Sequence, residues 1–215
     1  KNKSLIDNKI NHKRLSENIV EYIINCFINK TIKPGERVVE SKIAKDLNTS
    51  QGSVREAIYR LNNMGFIISI PYKGSYIRNF TLDELKDYQK VRGEIELLAV
   101  RWAVKKYQWE NFDLVLLEKL LKQMEDCLKD KDYLGRTNTT IEFHRILVKS
   151  SGSKCLLKTW ESLNIQYWAH VWNYIDISIL EGRSNLHSPI YLAIKNKDYK
   201  ELKLLIRNHF YNLNT

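Results

Sequence analysis

Three histidines in the second half of the chain fall where helical periodicity calls for apolar residues. His144 shares a stripe with Ile141, Leu147 and Val148. His187 shares one with Ile190 and Ile194, and His209 one with Leu202, Leu205 and Ile206. Each sits on the inward face of a different helix. Neutral imidazoles that converged from those faces would bind a divalent metal such as zinc, nickel or manganese. No local spacing such as HExxH fixes the convergence, and a lone inward histidine is more often a hydrogen-bonded core residue. Arg92 is aimed inward as well, on a face with Leu85, Tyr88, Ile95, Ala99 and Trp102. A guanidinium keeps its proton there and must meet an anion, either a neighbouring carboxylate or a ligand's. His170, in QYWAHVWNY, lies among aromatics and reads as a pocket wall or core residue.

A second constellation suits nucleic acid. Ala44 to Met64, AKDLNTSQGSVREAIYRLNNM, reads as two short helices joined by a tight polar turn. Val54, Ile58 and Leu61 recur at helical spacing and give the second helix one packing face. Thr49 or Ser50 suits its N-cap, where a hydroxyl accepts an orphan backbone N–H. The opposite face exposes Gln51, Ser53, Arg55 and Tyr59. That is the layout of a helix-turn-helix whose second helix enters the major groove. Phe66–Ile70 and Ser75–Arg78 are extended runs flanking the turn Pro71–Gly74, a hairpin whose tip carries Tyr72, Lys73 and Gly74. Three helices followed by a hairpin is the order of a winged helix-turn-helix, and a glycine beside a cation suits close approach to a DNA backbone or minor groove.

The elements that must hold these groups divide the chain. Residues 1–14 read as a disordered or arm-like lead-in, 15–79 as the winged head and 80–215 as an all-helical body. The first head helix runs from Leu15 to Asn29, with Ser16 near its start as a cap. Beyond a capping box at Thr81 and Glu84, helices are expected at about 82–106, 110–130, 136–150, 154–177, 185–196 and 198–213, with a break at Gly182–Ser184. Short breaks between amphipathic helices mean antiparallel neighbours, so the fold class is mainly α, a winged head plus an antiparallel bundle. The net charge of +10 is uneven. Residues 1–80 carry 14 Lys and Arg against 7 Asp and Glu, a net of +7, while the rest carries 21 against 18. Charge gathered in the head favours a polyanion partner. The cysteines, Cys26, Cys127 and Cys155, have no metal-ligand spacing and imply a reducing cytoplasm. Apolar runs are too short to span a bilayer, and no signal peptide is recognisable at the N-terminus.

GERVVESKIAKDLNTSQGSVREAIYRLNNMGFI followed by PYKGSYI resembles the DNA-binding domain of GntR-family transcriptional regulators, most specifically in VREA at Val54–Ala57 and in Gly74. RGEIE after Val91, EFHRIL around His144, SGS at Ser151–Ser153 and the final helix pair resemble the FadR C-terminal domain subgroup, FCD. The resemblance implies a homodimeric repressor or activator that binds a double-stranded operator and senses a small-molecule carboxylate, often through a metal ion. It carries the metal ligands onto His144, His187 and His209, and an effector-lining role onto Arg92. The family's anionic ligand stands four residues before the first histidine, where this chain has Thr140. Water or an effector carboxylate could then complete a three-histidine shell. The family often has Arg after the capping Ser, where this chain has Gln51. Gln fits the adenine N6/N7 edge, so an operator richer in A·T is expected there. Ser50, Gln51, Gly52, Ser53, Arg55, Lys73 and Gly74 are the expected DNA contacts, with Glu56 in an internal pair.

Two other classes remain. A metal-dependent enzyme on the three histidines needs an acid or base in the cavity, and no inward Asp or Glu has a convincing stripe position. An architectural nucleic-acid binder would have a purely structural bundle.

Overall fold

The computed structural model describes the backbone of residues 2–107, 109–175 and 186–211, and the side chains of these from Leu15 onward except at 166, 173 and 175. The chain divides into two compact units, Lys1–Phe80 and Thr81–Thr215.

In the first unit, α1 runs over Asn2–Ile28. The helix therefore begins well before Leu15, and from Asn2 the expected lead-in is its first half. No glycine or proline interrupts that stretch, so nothing in it stops helix propagation. Ile19, Val20, Ile23, Ile24 and Phe27 are buried. Each such side chain contributes roughly 1.5–3 kcal/mol. Ser16 is no cap: it is buried inside α1 and accepts a hydrogen bond from Arg60 Nη1 at 3.1 Å. Then come α2 (Glu40–Asp46) and α3 (Gln51–Asn63), the latter burying Val54, Ala57, Ile58 and Leu61 against α1. The hairpin is β2 (Ile67–Ile70) and β3 (Gly74–Ile77). A two-residue strand, β1 (Arg37–Val38), pairs antiparallel with β3 and makes a sheet of order β1-β3-β2. Phe27 meets Phe66 edge-on, with ring centroids 5.1 Å apart, and so pins the sheet to α1.

The second unit opens with α4 (Leu82–Tyr107). Glu84 N donates to Thr81 Oγ1 at 3.3 Å and Thr81 N to Glu84 Oε2 at 3.1 Å, the expected capping box. It continues as α5 (Leu114–Lys129), α6 (Tyr133–Lys149), α7 (Lys154–Ser162), α8 (Ile165–Ile175), α9 (His187–Lys195) and α10 (Tyr199–Tyr211). Asp113 and Asp132 cap α5 and α6 and set starts that differ from expectation by three or four residues. The helix expected over 154–177 is broken at Leu163 and Asn164, where Asn takes the left-handed φ of +53° that it tolerates better than most residues. The break expected at Gly182–Ser184 lies outside the described residues. The main core joins Val100, Leu117, Phe143, Leu147, Ile190, Leu202 and Phe210. Trp102, expected inward, is 41% exposed, whereas Ala103 is buried. An α-helix drifts by about 20° per heptad against a 3.5-residue repeat, so after two and a half heptads the stripe passes to the next residue.

Candidate functional site

The first turn of α3 is built around its cap. Ser50 is extended, and its Oγ accepts from Ser53 N at 3.1 Å while lying 3.0 Å from Ser53 Oγ. Ser53, expected on the exposed face, is thus buried and its hydroxyl is engaged in the cap. Gln51, Gly52 and Arg55 are exposed. Nothing in the fold requires glycine at 52, since a Cβ there would meet only Ser50 Oγ at 3.6 Å. Its missing side chain instead leaves the helix N-terminus bare, a geometry that favours an anion. Arg55 Nε donates to Glu40 Oε2 at 2.7 Å, with 65% of the arginine side chain exposed. The acid beside Arg55 is therefore Glu40 of α2, while Glu56 is exposed. At the wing, Lys73 is exposed and Gly74 has φ +103°. A Cβ on Gly74 would stand 2.9 Å from Arg37 Nε, so glycine lets Arg37 lie across the hairpin. Arg37 is a cation of this surface that sequence reasoning missed, because a two-residue strand has no periodicity to read.

In the second unit, α6, α9 and α10 bring His144, His187 and His209 together. One ligand atom from each lies within 4.8 Å of the others, and the ring centroids are 4.8–5.2 Å apart. His144 Nε2 is 3.2 Å from His187 Nε2. Two imidazole nitrogens on one tetrahedral zinc, each about 2.0–2.1 Å from it, stand roughly 3.3 Å apart, so the pair fits a shared ion. Behind them sits a carboxylate absent from the sequence reading. Glu96 of α4 is fully buried. Its Oε2 is 2.6 Å from His144 Nδ1, and its Oε1 accepts from Arg92 Nε at 2.8 Å and Trp160 Nε1 at 2.9 Å. Sequence reasoning found no inward acid, and Glu96 corrects that. The signal was its place four residues after an inward arginine, one helical turn along. Arg136, two turns before His144 on α6, is a further buried cation that was missed.

Burial alone pushes the Glu96 carboxyl up, but facing His144, the Arg92 guanidinium and the donated hydrogen bonds outweigh it and hold it below the ordinary range. Burial pushes His144 down, and nearby Arg92 adds to this, against a partial pull from Glu96. His144 is thus neutral at pH 7. The ionised carboxylate fixes its proton on Nδ1 and leaves the Nε2 lone pair turned toward the cluster, the arrangement of a ligating histidine oriented by its second nitrogen. Thr140, one turn before His144, is half-buried and supplies no charge. Arg92 is buried beside Phe210, whose ring centroid is 5.0 Å from its Cζ. His170 is also buried, on α8 outside the three-histidine cluster, and burial lowers its pKa to about 4.

Two family models match this chain. The one for bacterial regulatory proteins of the gntR family covers residues 15–77, and the one for the FCD domain covers 87–212. The chain belongs to the GntR family, FCD subgroup. The Nta operon transcriptional regulator of Aminobacter aminovorans is 30% identical over 83% of this GntR chain and 84% of its own length. The HTH-type transcriptional regulator YdhC of Bacillus subtilis is 28% identical over 85% and 81%. A putative GntR regulator from Rhodococcus sp. RHA1 shares the fold, with a TM-score of 0.75 at 18% identity over 92% of this chain and 94% of that one. Escherichia coli McbR/YncC does so at 0.69 and 21%, with the same coverage. This GntR chain is a DNA-binding transcriptional regulator, and its relatives are regulators rather than enzymes. Among its described residues no helix is long and apolar enough to cross a membrane.

Proposed function

We propose that this GntR regulator acts as a homodimer whose heads each read half of a palindromic operator. In the same reading its bundle senses a small-molecule carboxylate, with a divalent metal ion on His144, His187 and His209. The observation that carries it is the meeting of three histidines, His144 and His187 buried and His209 half-buried, beside Arg92, whose Nη2 has no hydrogen-bond partner among the described residues. A buried guanidinium nitrogen without a partner is costly, and a carboxylate would satisfy it. A metal held there supplies positive charge that an effector's carboxylate neutralises, which makes Thr140 in place of an acidic ligand tolerable. Glu96 holds His144 in the ligating tautomer, and its three donors occupy it as a fixed anion.

At the head, Gln51 and Arg55 face the bases, while Ser50, Ser53 and Gly52 set the helix N-terminus against a phosphate. Lys73 and Gly74 approach the backbone from the wing. Arg55 must exchange Glu40 for DNA, and an exposed ion pair is worth only about 0–1 kcal/mol, so the exchange is easy. Gln51 favours adenine at its position.

A thermal-shift screen of the full chain against organic acids, with added zinc and then with chelator, tests the sensing half. A ligand at 100 times its Kd should stabilise the bundle by about 2.7 kcal/mol. No shift with any acid would refute effector binding, and a shift indifferent to chelation would refute the metal's part. Selection of duplexes from a random pool tests the head, where Arg55→Ala should cost on the order of 1–3 kcal/mol of specific affinity.

A further inference from the structure

Seven non-glycine residues have positive φ among the described residues, and six of them, Lys30, Asn48, Trp109, Lys131, Asn164 and Lys197, stand two residues after a helix ends. That is a position where helices commonly close in the left-handed conformation. Tyr72 is the exception. It sits in the wing turn Ile70–Pro71–Tyr72–Lys73, where Lys73 N donates to Ile70 O at 3.1 Å and Tyr72 has φ +61°. Proline followed by a positive φ is the pattern of a type II turn, whose third position favours glycine or asparagine. A bulky aromatic there is strained. Its ring recovers nothing from the fold, because the side chain is fully exposed. The turn is also held rigid. Tyr76 Oη donates to Lys73 O at 3.0 Å, and the Ile70–Gly74 pair closes the hairpin directly behind the tip. The apolar residues Ile68 and Ile70 on β2 are exposed too, and lead along one strand to the tip.

We infer that Tyr72 is an affinity- and specificity-determining residue of the wing, its ring packing against sugars and base edges in the duplex minor groove. The inference rests on the reading of the head as the DNA-binding unit. Apolar side chains carried by minor-groove elements act in this way, by contact or by wedging between base steps. A rigid turn makes such a contact cheap in entropy. Lys73, by contrast, acts through charge, so the two neighbours separate by their salt dependence.

The test uses the full chain and a duplex that the wild type enriches from a random 30-base-pair pool. Tyr72→Gly and Tyr72→Asn suit the backbone and remove the ring. Both should leave the melting temperature equal or higher while weakening binding about tenfold. Tyr72→Phe should bind like wild type. The slope of log affinity against log salt should be unchanged in the glycine variant, whereas Lys73→Ala should reduce it by about one. Undiminished binding by Tyr72→Gly while the wild type binds overturns the proposal alone. Equal loss in Tyr72→Phe overturns the ring's part in favour of the hydroxyl. A wild type that enriches no duplex overturns the reading of the head, and this proposal with it.

Discussion

Glu96→Gln is the sharpest perturbation of the buried site, because it preserves volume and removes one charge. Glu96 now takes three donors: Arg92 and Trp160 at Oε1, and His144 at Oε2. A glutamine oxygen can keep the first two. Its amide nitrogen then faces His144 Nδ1, and two donors cannot share that 2.6 Å contact. His144 must move its proton to Nε2, which removes the lone pair from the histidine cluster. Arg92, 6% exposed at its side chain, loses its anion. Breaking a buried pair by removing one partner costs about 3–5 kcal/mol. With the amide oxygen still accepting from Arg92, the lower end, about 3 kcal/mol, is expected. All five tryptophans, Trp102, Trp109, Trp160, Trp168 and Trp172, lie in the second unit, so urea unfolding followed by tryptophan fluorescence reports that unit alone. The variant should lose about 3 kcal/mol, and Arg92→Met in the same chain should recover much of it as coupling energy. Zinc affinity should fall by roughly 10–100-fold, the usual effect of losing a residue that orients a ligand. A loss below about 1 kcal/mol with zinc affinity intact would refute the assignment of Glu96 as the group that sets both charge and tautomer.

Two further outcomes follow. Gly152 has φ +66°, and a Cβ there would stand 2.4 Å from Tyr107 Oη. Gly152→Ala should cost about 3 kcal/mol in thermal melting, roughly 1–2 from the left-handed backbone and the rest from the collision. Tyr107→Ala should recover only the collision part, and a cost under 0.5 kcal/mol (order of magnitude) would show the loop to be pliant. His170 has its pKa lowered by burial to about 4, so its neutral form is the folded one. Its share of stability is complete above the unfolded value near 6.5 and is lost as pH falls toward 4, a difference of about 3 kcal/mol. The gap in unfolding free energy between wild type and His170→Gln should therefore shrink over that window, and a constant gap would refute the burial of a neutral imidazole.

The features legible in the sequence are those with a period. The α3 face, the hairpin around Pro71–Gly74, the inward Arg92 and the three histidines all lie on stripes that one helix or strand can display. What escaped required a partner that no stripe displays. Glu96 reads as one more acid in RGEIELLA until Arg92, His144 and Trp160 surround it. Ser53 reads as an exposed hydroxyl until Ser50 turns back onto it. Arg37 has no pattern of its own and gains its place only when β1 pairs with β3. Trp102 failed for a different reason, since a stripe drawn at 3.5 residues per turn leaves an α-helix after a few turns. The FCD resemblance carried the histidines further than periodicity could, because convergence of three helices is a fact about their connections.

These contacts also bear on how occupancy at the buried site could reach the DNA. A ligand shifts an equilibrium only by binding one arrangement better than another. Arg92 and Glu96 stand on α4, and His209 stands on α10, whose Phe210 crosses α4 at Gly93. A Cβ on Gly93 would come within 2.8 Å of Phe210 Cβ, so the two helices touch there without slack. On the proposed reading, a ligand drawn to Arg92 and the histidines would act on both sides of one close-packed seam. Such seams rearrange between discrete packings rather than deforming smoothly. At 1.5 Å per residue, the start of α4 at Leu82 lies roughly 15 Å along the helix from Arg92. It follows the last residue of the first unit, Phe80, after Thr81 alone. The capping box at Thr81 and Glu84 fixes the first turn of α4 directly at that junction, so the helix carrying Arg92 and Glu96 begins without an uncapped, frayed turn.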